Sequence, residues 1–250
     1  MSLPRKLNII YSDEDIVVVN KSSGTLSIPD RYDASIESLS VLLKNRFNSV
    51  FTVHRLDKET SGAIVFALNA DSHRHLNTQF QDNKVEKIYH AVVAGIMDKD
   101  GIDVDIPLMP HPAKPGVMLP SARGKESLTK IKVIERYRHA TLLECNLVTG
   151  RQHQLRVHCA TIGYPLLVDR IYGNTDKFYL SAIKRKFNLK KSTDEHPVIS
   201  RVTMHAYSLT FIHPVKNEKV SFTADYPKDF SALIQIFNKY SSTALVHIKG

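Results

Sequence analysis

The apolar residues of this chain fall mainly into short runs that have the length of strands. Residues 16–19 are a run of β-branched side chains, and residues 63–68 are an apolar run that ends at a polar Asn-Ala-Asp segment. Continuous apolar runs bounded by polar residues are typical of buried strands. Further strands are predicted over residues 85–93, 102–108, 127–135, 139–148, 202–212 and 219–224.

Apolar residues at helical spacing occur in fewer places. Leu39, Leu42 and Leu43 predict an amphipathic helix within residues 35–47. Other helices are predicted over residues 72–81, with Asp71 as the N-cap, and over residues 152–161 and 227–240. Most predicted strands follow one another through short connections, and strands and helices do not alternate regularly. The predicted fold class is therefore α+β with a mainly antiparallel or mixed β-sheet.

Two further segments lack clear periodicity. Residues 109–126 contain four prolines and two glycines, which predict a long loop. Residues 177–191 are basic, with a helical centre predicted near Ala182 and Ile183.

The charge balance narrows the class of partner. The chain has 34 Lys and Arg against 25 Asp and Glu, which gives a formal net charge of +9. This excess favours a polyanionic partner, most simply nucleic acid. A hydrophobic content of 42% is enough for a folded core.

The two cysteines and the N-terminus indicate the compartment. Cys145 and Cys159 lie in apolar stretches, so they predict buried free thiols and no disulfide framework. The first residues lack a hydrophobic signal core, and no apolar run approaches bilayer length. We therefore predict a cytoplasmic protein.

A single carboxylate, Asp57, lies on a polar turn just before the apolar run at residues 63–68. Thr60, Ser61 and Gly62 suit such a turn, because short hydroxyls bond the local backbone and glycine tolerates positive φ. Arg55 and Lys58 beside it favour the ionised form of the carboxylate. On residue types alone, a salt-bridged surface turn is the alternative interpretation.

Several motifs in order resemble one enzyme family. Residues 54–62, His-Arg-Leu-Asp-Lys-Glu-Thr-Ser-Gly, resemble the signature of the RluA-type RNA pseudouridine synthases. Residues 11–21 resemble the opening strand of that family, residues 87–89 its Lys-x-Tyr motif and residues 149–158 its third motif. Shorter pieces also fit: Gly163-Tyr164-Pro165-Leu166, Asp169 with Tyr172-Gly173, His205-Ala206 and His213-Pro214.

The resemblance implies a fold and an active site. It implies a sheet split by a substrate cleft and flanked by helices. Asp57 is then the essential catalytic residue, with Arg156 as the cation opposite it and Tyr89 as the aromatic that holds the uracil. Because residue 11 already belongs to the opening strand, we predict a single catalytic domain over residues 1–250, with a core of about 8–240 and no separate N-terminal RNA-binding domain.

Further residues are predicted to bind RNA. Arg55 is placed to stack on bases after the target uridine leaves its stack. Arg151 is predicted at the first turn of its helix, where backbone amides favour a phosphate. The remaining predicted RNA contacts are His54, Lys87, Lys184, Arg185 and Lys186, and a solvated charged face is the alternative for the last three.

The predicted activity needs no metal and no redox cofactor, because no electrons are exchanged. His153, His158 and Cys159 do not have a common zinc-ligand spacing, and His158 is predicted to be a hydrogen-bonded core residue. We therefore predict a monomeric, cofactor-free isomerase that converts uridine to pseudouridine in ribosomal or transfer RNA. The alternatives are a non-catalytic RNA-binding protein on the same scaffold and a metal-dependent nuclease.

Overall fold

The computed structural model describes residues 7–33, 35–184, 187 and 194–242. The chain divides into two compact units. The first unit consists of Met1–Tyr89 and His205–Asp225, and the second of His90–Met204 and Tyr226–Gly250. Within the described residues, no helix has the length and apolarity needed to cross a membrane.

Strands outnumber helices in the described residues. The strands are β1 (Ile9–Ser12), β2 (Ile16–Lys21), β3 (Phe51–Thr52), β4 (Ser61–Ala67), β5 (Glu86–Ala94), β6 (Gly101–Asp105), β7 (Leu108–Pro110), β8 (Met118–Pro120), β9 (Leu128–Arg136), β10 (Ala140–Leu147), β11 (Met204–Ile212) and β12 (Lys219–Thr223). The helices are α1 (Leu39–Lys44), α2 (Ala70–Gln81), α3 (Gln154–Thr161) and α4 (Lys228–Tyr240). A 3-10 turn at Leu180–Ala182 lies within the basic stretch.

The first unit is built around β4, whose seven residues are all buried. β4 pairs antiparallel with β2 and β3 and parallel with β11, and β12 pairs antiparallel with β11. Its core is an apolar cluster that includes Ile16, Val65, Leu76 and Phe211. The buried β-branched runs predicted from the sequence therefore form the centre of this unit.

The second unit contains an antiparallel meander and a small hairpin. β9 pairs with both β6 and β10, and β7 pairs with β8 in a separate two-stranded sheet. α4 contributes Phe230, Leu233 and Phe237 to the core of this unit, where Tyr137 stacks on Phe237 with ring centroids 5.0 Å apart.

The predicted α+β class with a mixed, mainly antiparallel sheet is confirmed, whereas several local predictions need correction. Residues 109–126 are not one long loop, because they contain part of the β7–β8 hairpin. α1 is shorter than predicted. The N-cap of α2 is Asn69 rather than Asp71, because the Asn69 side chain accepts a hydrogen bond from the Ser72 amide.

The parallel contact between β4 and β11 depends on Gly62. Gly62 has φ +122°, and a Cβ atom there would lie 2.1 Å from the carbonyl oxygen of Ala206. Beside it, Ser61 Oγ donates to Nδ1 of the buried His205, and His205 Nε2 donates to the Ala224 carbonyl. Glycine is needed because the two backbones are in direct contact.

Replacing Gly62 with Ala is expected to destabilise the fold by about 2–4 kcal/mol. The new methyl group would clash with the backbone of β11, and alanine at residue 62 would have an unfavourable positive φ. In a chain of this size that corresponds to a fall in Tm of roughly 5–15 °C. Gly150→Ala is the matched control, since no atom lies within 4 Å of its Cβ position. Equal melting temperatures for the two variants would contradict this account.

Candidate active site

The turn that carries Asp57 is held by the segment after β2. The Ser27 hydroxyl donates to the Leu56 carbonyl at 2.8 Å and accepts from the Leu56 amide at 3.0 Å. The Gly24 amide donates to the Lys58 carbonyl, and the Thr60 amide closes the turn on the Asp57 carbonyl at 3.1 Å. Backbone groups on both sides of Asp57 are therefore fixed, while its side chain is half-buried.

Lys21 is a buried cation at the end of β2, with a side chain that is 1% exposed. Its Nζ donates to the carbonyl oxygens of Ser22 at 3.2 Å, Thr25 at 2.8 Å and Lys58 at 3.2 Å. An ammonium group has three N–H donors. Lys21 therefore ties the Asp57 turn to the segment that supports it.

Replacing Lys21 with Met is expected to destabilise the fold by about 2–4 kcal/mol, because the buried Thr25 carbonyl and two partly buried carbonyls lose their donor. The Asp57 turn should also loosen, so that turnover per folded molecule falls. Thermal melting and a single-turnover assay on one preparation measure both effects. Lys44→Met is the control, because it removes an exposed lysine of α1 in the same unit. If Lys21→Met has the same melting temperature and single-turnover rate as the control, Lys21 does not support the turn.

His54 links the turn to β4 and α2. Its Nε2 accepts a hydrogen bond from the Val65 amide at 3.2 Å, and its ring stacks on Phe80 with centroids 4.5 Å apart. Burial, together with the Lys87 charge, lowers the pKa of His54 to about 3. Because Nε2 is an acceptor, the neutral ring carries its proton on Nδ1. The structure thus gives His54 a supporting contact, and its RNA contact stays a prediction.

The charge of Asp57 acts on the buried Tyr89 of β5, which lies in the same unit. Burial raises the pKa of the Tyr89 phenol well above its usual value, and the Asp57 charge raises that pKa further. Tyr89 therefore remains a neutral phenol at physiological pH. The residues that the sequence predicted to be the essential carboxylate and the base-holding aromatic therefore interact electrostatically.

The other predicted residues of the first unit lie around this pair. Lys87 is buried on the same face of β5 as Tyr89. Its Nζ lies 6.0 Å from the centroid of the Phe80 ring. Arg55 is exposed beside the turn, as a residue that stacks on RNA bases must be.

Arg156, in the second unit, is held by a buried carboxylate. Its Nε and Nη2 donate to the two oxygens of Asp169 at 2.7 and 2.8 Å, and the two side chains are 6% and 0% exposed. Burial alone would raise the pKa of Asp169, but the hydrogen bond and charge of Arg156, with the amides of Ile171 and Tyr172, lower it overall. The guanidinium plane is therefore fixed in orientation.

Tyr172 packs against the same guanidinium, with the ring centroid 5.1 Å from the central carbon of Arg156. A cation over an aromatic ring is attracted by the negative face of that ring. The Tyr172 hydroxyl accepts from the Met118 amide at 2.8 Å and lies 2.9 Å from His153 Nδ1. Arg156 is thus held by a carboxylate and a ring in the same unit.

Arg151 does not lie on the first turn of its helix, which corrects that prediction. His153 has a left-handed φ of 53°, so α3 begins only at Gln154. The Arg151 amide donates to the Gln154 side chain at 3.0 Å, and its Nε donates to the Glu126 carbonyl at 3.0 Å. The side chain itself is exposed.

The basic stretch is described only in part. Lys184 Nζ lies 5.5 Å from the Tyr240 ring centroid and 5.9 Å from that of Phe187. Arg185 and Lys186 lie outside the described residues. All three stay predicted RNA contacts.

The buried histidine and cysteines behave as predicted. His158 is fully buried, with Nδ1 2.9 Å from Thr129 Oγ1 and Nε2 3.0 Å from the Ile106 carbonyl, and burial lowers its pKa. Cys145 and Cys159 are both buried and free. Burial raises the pKa of each thiol, so neither is a reactive thiolate.

Among the described residues, Asp13, Asp15 and His213 lie close enough together to resemble a metal-ligand group. The Asp13 carboxylate already accepts hydrogen bonds from the Asp15 and Ile16 amides, Tyr11, His213 and Lys216. These bonds anchor the turn before β2 to the turn after β11, so we assign this group a structural role.

The comparison with protein families identifies the class of protein. The model of the RNA pseudouridylate synthase family matches residues 15–161, a segment that contains Asp57, Tyr89 and Arg156. The chain therefore belongs to the RNA pseudouridylate synthases, which are isomerases that act on RNA.

Individual relatives refine the similarity. The chain is 34% identical to "Ribosomal large subunit pseudouridine synthase D" of Buchnera aphidicola, over 96% of this chain and 76% of the relative. It is 34% identical to "Dual-specificity RNA pseudouridine synthase RluA" of Haemophilus influenzae, over 87% of this chain and 92% of the relative. The predicted RluA-type resemblance is confirmed by these matches.

A solved structure supports the fold. "Human RNA Pseudouridylate Synthase Domain Containing 1" is similar with a TM-score of 0.68 and 26% sequence identity. The similarity covers 91% of this chain and 86% of the human chain.

Several residues with clear structural contacts have no role predicted from the sequence. Lys21, Asp169, Tyr172 and His205 all lie in pieces that resembled the family, and that resemblance was the available signal. Ser27 carried no signal, because a serine after a strand is common in loops.

Proposed function

We propose that this protein isomerises uridine to pseudouridine within structured RNA, with Asp57 as the essential residue. The reaction breaks the N1–C1′ bond, turns the uracil and joins its C5 atom to C1′, after which C5 loses its proton. Asp57 acts either on C1′ as a nucleophile or on a ribose proton as a base, and both routes use the ionised carboxylate.

The observation that carries this proposal is the effect of the Asp57 charge on the buried phenol of Tyr89. A carboxylate whose charge reaches an aromatic ring supplies a reacting oxygen, and the ring supplies a surface for the detached uracil. The raised pKa favours a neutral Tyr89 that stacks on the base and donates a hydrogen bond, rather than a free phenolate that removes the C5 proton.

We propose Arg156 as the cation that keeps the catalytic carboxylate ionised and oriented. Asp169 binds the edge of the guanidinium formed by Nε and Nη2. The planar guanidinium has the geometry that suits carboxylates. A buried, bidentate arginine is pre-organised for this role because its orientation is already fixed.

The names of the relatives indicate the class of RNA. One is named for the ribosomal large subunit and another for dual specificity. We therefore propose ribosomal RNA as the first target to test, with transfer RNA as the second. We retain the predictions of one catalytic domain, a cytoplasmic location and a monomer.

Release of tritium from RNA labelled at C5 of uridine tests the proposed reaction, because C5 exchanges its hydrogen for the new bond to C1′. We expect tritium release from an unmodified large-subunit ribosomal RNA transcript or from transfer RNA transcripts, with no change in RNA length. Binding without any release would support the RNA-binding alternative and contradict the proposal.

Chelation should leave the reaction rate unchanged. The proposed steps use a carboxylate, a phenol and a guanidinium, and none requires a metal ion. The assay is tritium release in excess EDTA, with spermidine present to keep the RNA folded. Loss of activity that one divalent ion restores, without a change in RNA folding, would contradict the prediction.

A further inference from the structure

The second unit contains a basic hairpin, and we define the basic hairpin as residues 106–126. From residue 106 to residue 125 the sequence contains Lys114, Arg123 and Lys125 and no Asp or Glu. All three cations are exposed. Arg151 lies beside Glu126 at the end of this segment, since its Nε donates to the Glu126 carbonyl at 3.0 Å. The segment and Arg151 together have four exposed cations, with Glu126 as the acidic residue of the segment and the exposed Asp105 directly before it.

The base of the basic hairpin is firmly packed. Leu108 and Lys125 exchange two backbone hydrogen bonds of 3.0 and 2.8 Å. A Cβ atom on Gly124 would lie 2.5 Å from the Leu108 backbone, so the two chains are in contact there. Leu108 and Met118 form a buried cluster with Val157 of α3. The cations are thus presented by a rigid base rather than by a free loop.

Tyr172 connects the basic hairpin to Arg156. Its hydroxyl accepts a hydrogen bond from the Met118 amide of β8 and also forms a hydrogen bond with His153 Nδ1. The ring of the same residue packs on the Arg156 guanidinium. One side chain therefore contacts both the strand that supports the cations and the arginine proposed for the active site.

We infer that the basic hairpin binds the sugar-phosphate backbone of the RNA and that Tyr172 fixes it in position relative to Arg156. The inference rests on the proposed function. Exposed Lys and Arg side chains on a rigid support can bind phosphates, because they replace the counterions that surround the RNA and release them. Tyr172 acts as a positioning residue, since it holds both the binding surface and the catalytic cation without reacting.

Removal of the three cations tests the binding surface. The triple variant Lys114→Ser, Arg123→Ser, Lys125→Ser should reduce the slope of log affinity against log salt by about 2–3, as expected when three phosphate contacts are lost. The probe is an unmodified large-subunit ribosomal RNA transcript. Binding is measured with Asp57→Asn in both proteins, so that failure of the proposed reaction does not affect the result.

A matched triple variant controls for net charge. Lys99→Ser, Lys132→Ser and Arg138→Ser remove three other exposed cations of the same unit, and the slope should stay close to that of the parent protein. An equal loss in both triple variants, or an unchanged slope in the hairpin variant, would overturn the inference.

Two substitutions separate the hydroxyl and the ring of Tyr172. Tyr172→Phe keeps the ring on Arg156 but loses the hydroxyl contacts, so RNA affinity should fall about 3- to 10-fold, with a smaller loss of single-turnover rate at saturating RNA than in Tyr172→Leu. Tyr172→Leu also removes the ring, so that rate should fall by about tenfold as well. Parent-like affinity in Tyr172→Phe, or the same rate in both variants, would contradict the positioning role.

Acetylation of amines in the unsubstituted protein provides a test that requires no variant to fold. Mass spectrometry should show that the ribosomal RNA transcript protects Lys114 and Lys125 more strongly than Lys99 and Lys132. Equal protection of the four lysines would overturn the assignment of this surface.

Discussion

Replacing Asp57 with Asn is expected to lower the single-turnover rate of uridine isomerisation by about 1,000-fold or more, as for loss of other catalytic groups. Asn keeps the size of the side chain but removes the charge and the basic oxygen that both routes use. The turn should persist, because Lys21, Gly24 and Ser27 bind its backbone rather than the Asp57 side chain. RNA affinity should therefore change little, or rise slightly.

Glu59→Gln is the control for Asp57→Asn, because it removes a half-buried carboxylate from the same turn. The control should keep its turnover. If Asp57 only braces the turn, the Asn variant will instead lose stability while keeping its activity per folded molecule. Single-turnover rate, RNA affinity and melting temperature measured on one preparation distinguish these patterns, and a rate within about tenfold of the parent would remove Asp57 from the proposed chemistry.

The second large effect is expected at Arg156. In Arg156→Lys, the lysine keeps the charge but lacks the planar guanidinium that binds Asp169. Turnover should therefore fall about 100-fold or more, as when a pre-organised donor is lost. The fold should also lose about 1–3 kcal/mol, because Asp169 is fully buried and loses charge-assisted hydrogen bonds. Both quantities are measured on the folded fraction of the purified variant.

Arg201→Lys separates stability from catalysis. Arg201 makes a similar bidentate pair with Asp229, with distances of 2.7 and 2.9 Å, in the same unit. Its substitution should cost comparable stability while leaving turnover per folded molecule unchanged. Equal losses of turnover in the two variants would show that Arg156 contributes only through the fold.

The sequence predicted the elements whose patterns are strong. The β-branched run at residues 16–19 and the apolar run at 63–68 became β2 and β4, because uninterrupted apolar runs require burial on both faces. The polar signature between them placed Asp57 on a turn at the start of a central strand. The apolar run and the polar signature before it both indicate a turn followed by a buried strand, so the position of Asp57 could be predicted specifically.

Contacts between residues far apart in sequence were not predictable in the same way. Nothing in a strand pattern shows that the ammonium group of Lys21 turns inward to reach the Lys58 carbonyl, 37 residues away. The prolines of the β7–β8 segment predict a loop. Packing of Leu108 and Met118 against α3 nevertheless stabilises a hairpin there. The start of α3 was misplaced because left-handed backbone at His153 has no clear signal in the sequence.

The most direct test of the proposed activity is the mapping of pseudouridine by carbodiimide-dependent stops of reverse transcription. Unmodified transcripts of large-subunit ribosomal RNA and transfer RNA are incubated with the purified protein or with its Asp57→Asn variant. We predict new stops at discrete uridines with the parent protein, none with the variant, and full-length RNA in both samples. Binding of these RNAs with no new stop, or shortening of the RNA in place of modification, would contradict the assignment of a uridine isomerase built around Asp57.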